Sequence, residues 1–207
     1  MENKKNKYGS FIGLVIALLI GFVLYFITSS IQGSSVIPSY MEIVEGVNSS
    51  LKYKLLWFFS DFTEPVFFAS FMASIMLVFG GFVAYILDIK GSKYRGFDVS
   101  YGSGLWPWVL ASQILSLSIT IFAYNFTRYL SVDNSWVPTF ITVVGIAPAL
   151  MLLYGPGLKK LLTVSVLAST LSFPIATWIS TIIVPLLEIP GVVANVFTMA
   201  ITGILIT

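Results

Sequence analysis

Gln113, Ser116, Thr120 and Tyr124 follow one another at spacings of three, four and four in an otherwise apolar stretch, which puts them on one face of a helix. An amide and hydroxyls in that setting hydrogen-bond an uncharged partner. That partner is either a neutral solute or a neighbouring helix. Gly191, Asn195, Thr198 and Thr202 repeat the pattern at spacings of four, three and four. Ser165, Ser169 and Ser172 form a further row, and Thr163, Thr170, Thr177 and Thr181 another. An unpaired amide in hydrocarbon costs several kcal/mol, so Gln113 and Asn195 are expected to face protein or a wet cavity. Two readings stand: a polar pathway lined by these rows, or hydrogen bonds that hold packed helices together.

Backbone chemistry adds to the pattern. Pro148 follows Gly145 in one apolar run, and Pro174 follows Ser172 in another. A proline removes one helical hydrogen bond and frees a carbonyl. Transporters bind solutes and ions at such breaks, although Gly and Pro are also simply frequent in membrane helices. Both readings predict kinks there, and only the first predicts a cavity beside them. The candidate solute-binding residues are therefore Gln113, Ser116, Thr120, Pro148, Ser172, Pro174, Asn195 and Thr198.

Other chemistries fail for want of residues. Without cysteine or histidine, thiolate metal sites, disulfides, Cys nucleophiles and His general bases are excluded. No catalytic pair, metal site or cofactor is expected, and no enzyme. Tyr101-Gly102-Ser103-Gly104 lacks the Lys-Ser/Thr of a nucleotide loop and reads as a loop before the interfacial anchors Trp106 and Trp108. Asn48-Ser49-Ser50 and Asn125-Phe126-Thr127 match a glycosylation pattern that arises readily by chance. Asp61-Phe62-Thr63-Glu64-Pro65 places two carboxylates three apart. Cation capture or acid/base work is one reading. The preferred one is a helix start, with Asp61 or Thr63 as cap, Glu64 at the positive helix end and Pro65 in the first turn.

The elements that must position these residues follow from composition. Of 207 residues 57% are hydrophobic and 10% charged, against about 25% charged in ordinary soluble domains. Soluble enzymes, nucleic-acid binders and disordered chains are set aside, and the lipid bilayer becomes the first partner. Apolar runs of bilayer length lie near 11–28, 66–87, 105–124, 136–154, 161–187 and 192–206, none with Asp, Glu, Lys or Arg. The expected fold is all-α, a single polytopic transmembrane domain over 1–207 with about six transmembrane helices. With the N-terminus cytoplasmic, the inner side holds Lys4, Lys5, Lys7, Lys90, Lys93, Arg95, Lys159 and Lys160. The outer side holds only Lys52, Lys54 and Arg128. This bias puts both termini in the cytoplasm of a multi-pass cell-membrane protein.

Between the first two spans, Leu51, Leu55, Phe58 and Phe59 sit at helical spacing, with Lys52 and Lys54 on another face and Trp57 beside them. This reads as an outer interfacial helix, or as a short re-entrant piece. The last run ends at Thr207 without a charged flank, as in a chain that stops abruptly or a piece of a longer membrane protein.

The spans carry no ionisable side chain other than tyrosine, which argues against a self-contained proton pump, proton antiporter or voltage sensor. The function expected is a permease, or the membrane subunit of a transporter, for a small and mostly neutral solute. An ATP-driven version needs a partner ATPase or membrane subunit. The alternative is a non-transporting scaffold or accessory subunit. Small residues at Ala69, Ala73, Gly80 and Ala84 form a close-packing seam that suits an internal helix pair or a homo-oligomer.

Overall fold

The computed structural model describes residues 9–31, 38–63, 71–94, 104–129 and 139–207, which form helices joined by turns, with no strand among them. The beginnings of the expected runs at 66 and 136, the Glu64-Pro65 pair and Tyr101–Ser103 lie outside the described residues. Three helices are long and apolar enough to cross a membrane: Phe71–Ile89, Trp106–Ala123 and Leu158–Leu187. Shorter apolar helices cover Leu14–Ile27, Val143–Tyr154 and Val192–Ile206. The protein is membrane-embedded.

Helix α1 (Gly9–Ile31) belongs to one compact unit, Met1–Ser39. It contains no charged residue, and its described apolar side chains are largely exposed. The second unit is Tyr40–Thr207. It opens with two short helices, α2 (Tyr40–Gly46) and α3 (Leu51–Ser60), followed by a single 3₁₀ turn at Asp61–Thr63. Helix α4 (Phe71–Ile89) comes next. Helix α5 (Trp106–Ser118) tolerates Pro107 in its first turn and runs on through a wide π turn, Ile119–Ala123. Helix α6 (Thr139–Tyr154) ends at Gly155, whose φ of +74° suits a residue without Cβ. Helix α7 (Leu158–Trp178) passes through a second π turn, Ile179–Ile183, into α8 (Val184–Leu187), and α9 (Val192–Ile206) completes the described chain.

Helices α5, α6, α7 and α9 form the bundle. Leu161, Val164, Ser165, Ala168, Ser169, Ser172 and Ala176 make the buried stripe of α7, and most of them are small enough for close helix approach. Near α6's C-terminal end, Lys160 Nζ donates to the Tyr154 carbonyl at 2.6 Å. Tyr154 donates its hydroxyl to the Ile206 carbonyl at 3.4 Å, which brings the C-terminal ends of α6 and α9 together.

Helix α4 stands partly aside. It meets α3 and the 3₁₀ turn near its start, where Ser74 donates to the Ser60 carbonyl at 3.1 Å. Near its other end it meets α5, where Trp106 stacks on Tyr85 with ring centroids 5.7 Å apart. Gly81 makes that approach possible, because a Cβ there would lie 2.5 Å from Trp106 Nε1. Ile75, Leu77, Phe79, Phe82 and Val83 are exposed on α4, a surface suited to hydrocarbon.

Two helices, not one, occupy the segment expected to hold an interfacial helix. They do not simply lie on a surface: Ile43, Val44, Val47, Trp57 and Phe58 enter the same buried cluster as Leu117, Ile121, Val143 and Phe173. Leu51, Leu55 and Phe59 stay exposed on the other face of α3. Helix α3 descends along α5. Lys54 Nζ donates to Asn125 Oδ1 at 2.6 Å, the Phe58 ring lies 5.7 Å from Phe122, and Phe62 presents its carbonyl to Gln113 Nε2 at 3.4 Å. Gln113 is ten residues from Ala123, about 15 Å along the helix. The 3₁₀ turn therefore sits beside the middle turns of a helix long enough to span a membrane.

Candidate functional site

The predicted polar residues separate into three groups. The first is the seam between α5 and α7. Ser169 Oγ lies 2.9 Å from the Ser116 carbonyl and 2.7 Å from the Ser165 carbonyl of its own helix. Thr120 Oγ1 donates to the same Ser116 carbonyl at 2.7 Å. Ser165 reaches the Ser112 carbonyl at 3.5 Å. The side-chain hydroxyls gather on α5 carbonyls upstream of the π turn at Ile119–Ala123. Ser116 and Thr120 are fully buried here, and Thr120's hydroxyl is already engaged. Gln113 is not part of this seam. Its amide serves the Phe62 carbonyl on the α3 side.

The second group lies around α9. Ser172 and Asn195 are buried, and neither the Ser172 hydroxyl nor either atom of the Asn195 amide has a hydrogen-bond partner among the described residues. Thr177 and Thr202 hydroxyls share that condition. Thr198 differs: its hydroxyl donates to the Ala194 carbonyl at 2.7 Å. Register brings Ser172 and Asn195 to one level. A Cβ on Gly145 would lie 2.7 Å from Met199 Cε, and Tyr154 meets Ile206, so α6 and α9 run in parallel. Helix α7 returns antiparallel to α6 after a three-residue turn. Counted from that turn at 1.5 Å per residue, Ser172 and Asn195 differ in height along the bundle by no more than about one helical turn. Pro148 falls at the level of Thr202 and lacks the donor for the Val144 carbonyl. Pro174 is exposed, away from the buried stripe. The pair Ser172 and Asn195 offers a hydroxyl, an amide donor and an amide acceptor inside a packed interior, with no charge nearby on α7 or α9.

The third group is Asp61 and its surroundings. The residue closes α3, its backbone N–H bonded to the Trp57 carbonyl, and the helix start it is expected to cap lies outside the described residues. Its side chain is fully buried, and neither carboxyl oxygen has a hydrogen-bond partner among the described residues. Trp57 and Phe58, one turn back on α3, are buried on the same side. Desolvation pushes the Asp61 carboxyl well above the usual carboxylate range. Tyr40 from α2 is close enough to feel its charge, and burial first, then Asp61, raises the Tyr40 hydroxyl in turn. An ionised carboxylate here would lack several kcal/mol of solvation. Apart from Asp88 in the last turn of α4, the described spanning helices contain no acid, yet this fold carries Asp61 beside the middle of α5 on a segment that does not span. Asp61 follows Trp57 by four residues and Phe58 by three, a spacing that could have placed it on their face of α3.

A cleft of about 710 Å³ opens between α4 and α5, walled by Phe58, Phe59, Phe62, Val78, Phe79 and Trp106 among others, with Ser74 as its polar residue. Neither Pro148 nor Pro174 lines it. It is an apolar space of the size that binds small ligands.

Comparison with protein-family models, with curated proteins and with solved structures returned no match to this chain.

Proposed function

We propose that this chain is a multi-pass cell-membrane permease, or the membrane subunit of a transporter, for a small and mostly neutral solute. Six spans with both termini cytoplasmic form its transmembrane domain, in the orientation favoured by the Lys/Arg distribution. The observation that carries the reading is the buried Asn195 amide with Ser172 at its level, neither engaged by the described protein. Unsatisfied amides are rare in packed interiors because they are expensive. A hydrogen-bonding solute, or the water it displaces, supplies the missing partners. The descending α3 supports the same reading, since a segment that reaches the level of α5's middle turns without spanning, and carries a buried carboxyl there, calls for surrounding protein or a wet cavity. If ATP drives the process, a separate ATPase provides it.

A scaffold or accessory-subunit role draws support from the other seam, where Ser165 and Ser169 spend their hydroxyls on α5 carbonyls. Uptake measurements separate the two. In cells expressing the chain, Asn195→Leu is expected to abolish accumulation of the solute whose uptake depends on this protein, with normal abundance and folding. Uptake unchanged by Asn195→Leu and Ser172→Ala removes both residues from the site.

A further inference from the structure

We propose that Asp61 is a proton-carrying site, taking a proton from water onto its carboxylate and returning it to water as α3 and the 3₁₀ turn change their exposure. Three observations lead there. Asp61 is fully buried, and its two carboxyl oxygens meet no hydrogen-bond partner among the described residues. It occupies the C-terminal end of α3, where the helix dipole disfavours a negative charge. And the Phe62 carbonyl is held at Gln113, so the acid lies beside the middle of α5.

Among the described residues the charges around it are few. Tyr40 of α2 feels the charge of Asp61, while Glu42 and Glu45 of the same helix are exposed. On α3, Lys54 is committed to Asn125 and Lys52 is exposed. Tyr85 and Asp88 lie far along α4, and Tyr154 ends α6. Among the described residues no cation neutralises Asp61. A bound metal cation would need several oxygen ligands, whereas the proton needs only the carboxyl itself. Intramembrane acids of this kind form proton relays. The proton's role as coupling ion rests on the permease reading, while its binding at Asp61 does not.

Infrared spectroscopy of the purified full chain in lipid nanodiscs tests the binding without any solute. Aspartate carrying ¹³C in its carboxyl group marks the signal. Wild type, Asp61→Asn, and a variant with Asp88→Asn, Asp98→Asn and Asp133→Asn, which leaves Asp61 as the sole aspartate, are compared. The expected result is a protonated-carboxyl band in the wild type and the sole-aspartate variant, absent from Asp61→Asn. Its titration midpoint should lie on the alkaline side of that of free aspartate. The band should also shift when H₂O is replaced by D₂O. An Asp61 that titrates together with free aspartate, or a band abolished by sodium chloride, overturns the proposal. So does a protonated band that never exchanges with D₂O, which would make Asp61 a sealed structural acid.

Discussion

Ser169 of α7 shares its hydroxyl between the Ser165 carbonyl of its own helix at 2.7 Å and the Ser116 carbonyl of α5 at 2.9 Å, and Ser169 and Ser116 are fully buried. A row that could have lined a pathway is here spent on joining two helices. Ser169→Ala is expected to lower stability by about 0.6–1.5 kcal/mol, the usual range for hydrogen bonds between membrane helices. Ser169→Leu should cost more, because the seam has no room for a branched side chain. Thermal unfolding in mild detergent measures both, and solute binding by the folded Ser169→Ala protein should be unchanged.

Asn195 behaves oppositely. Its amide has no partner among the described residues, so exchanging it for Leu removes an unmet hydrogen-bonding demand and leaves the shape similar. Asn195→Leu is expected to melt at or above the wild-type temperature. A loss of more than about 2 kcal/mol would show that the amide is engaged in the resting protein.

The neighbouring glycines of α4 should respond with opposite signs. A Cβ on Gly80 meets nothing within 4 Å, whereas one on Gly81 meets Trp106 Nε1 at 2.5 Å. Gly80→Ala is expected to stabilise by about 0.5–1 kcal/mol through helix propensity. Gly81→Ala should destabilise by about 1–3 kcal/mol as Trp106 is forced away. Melting temperatures and tryptophan fluorescence report both effects.

Asp61 makes stability depend on pH with a definite sign. Its folded carboxyl holds its proton well above the ordinary range, while the unfolded one releases it near about 3.9. The folded state therefore binds more protons, and this contribution is complete below about pH 4 and declines as pH rises toward the folded value. Wild type minus Asp61→Asn isolates the effect. Their melting-temperature difference should move against the wild type with rising pH from about pH 4 upward, and a flat difference would place Asp61 in water.

Parts of this arrangement were legible in the residues. The run expected at 192–206 coincides with α9, and that at 105–124 is within a residue of the continuous helix Trp106–Ala123. Gly104, Pro190 and Gly191 punctuate those boundaries. The spacing of Ser165, Ser169 and Ser172 marked a buried face correctly but not what it touches, because a helical period names a face and never its neighbour. Asp61 was harder. With Glu64 and Pro65 following, it reads locally as the cap of the next helix, and only tertiary packing turns it inward beneath α2. Gln113 was grouped with Ser116 by spacing, yet its long side chain reaches the other way, to Phe62.

Native mass spectrometry of the wild-type chain, extracted in mild detergent at native expression, tests the central claim most directly. The account predicts a small neutral molecule bound to the wild type and absent from Asn195→Leu, with any ATPase or membrane partner visible in the same spectrum. An empty wild-type chain, indistinguishable from Asn195→Leu under conditions that preserve bound lipid, would contradict it.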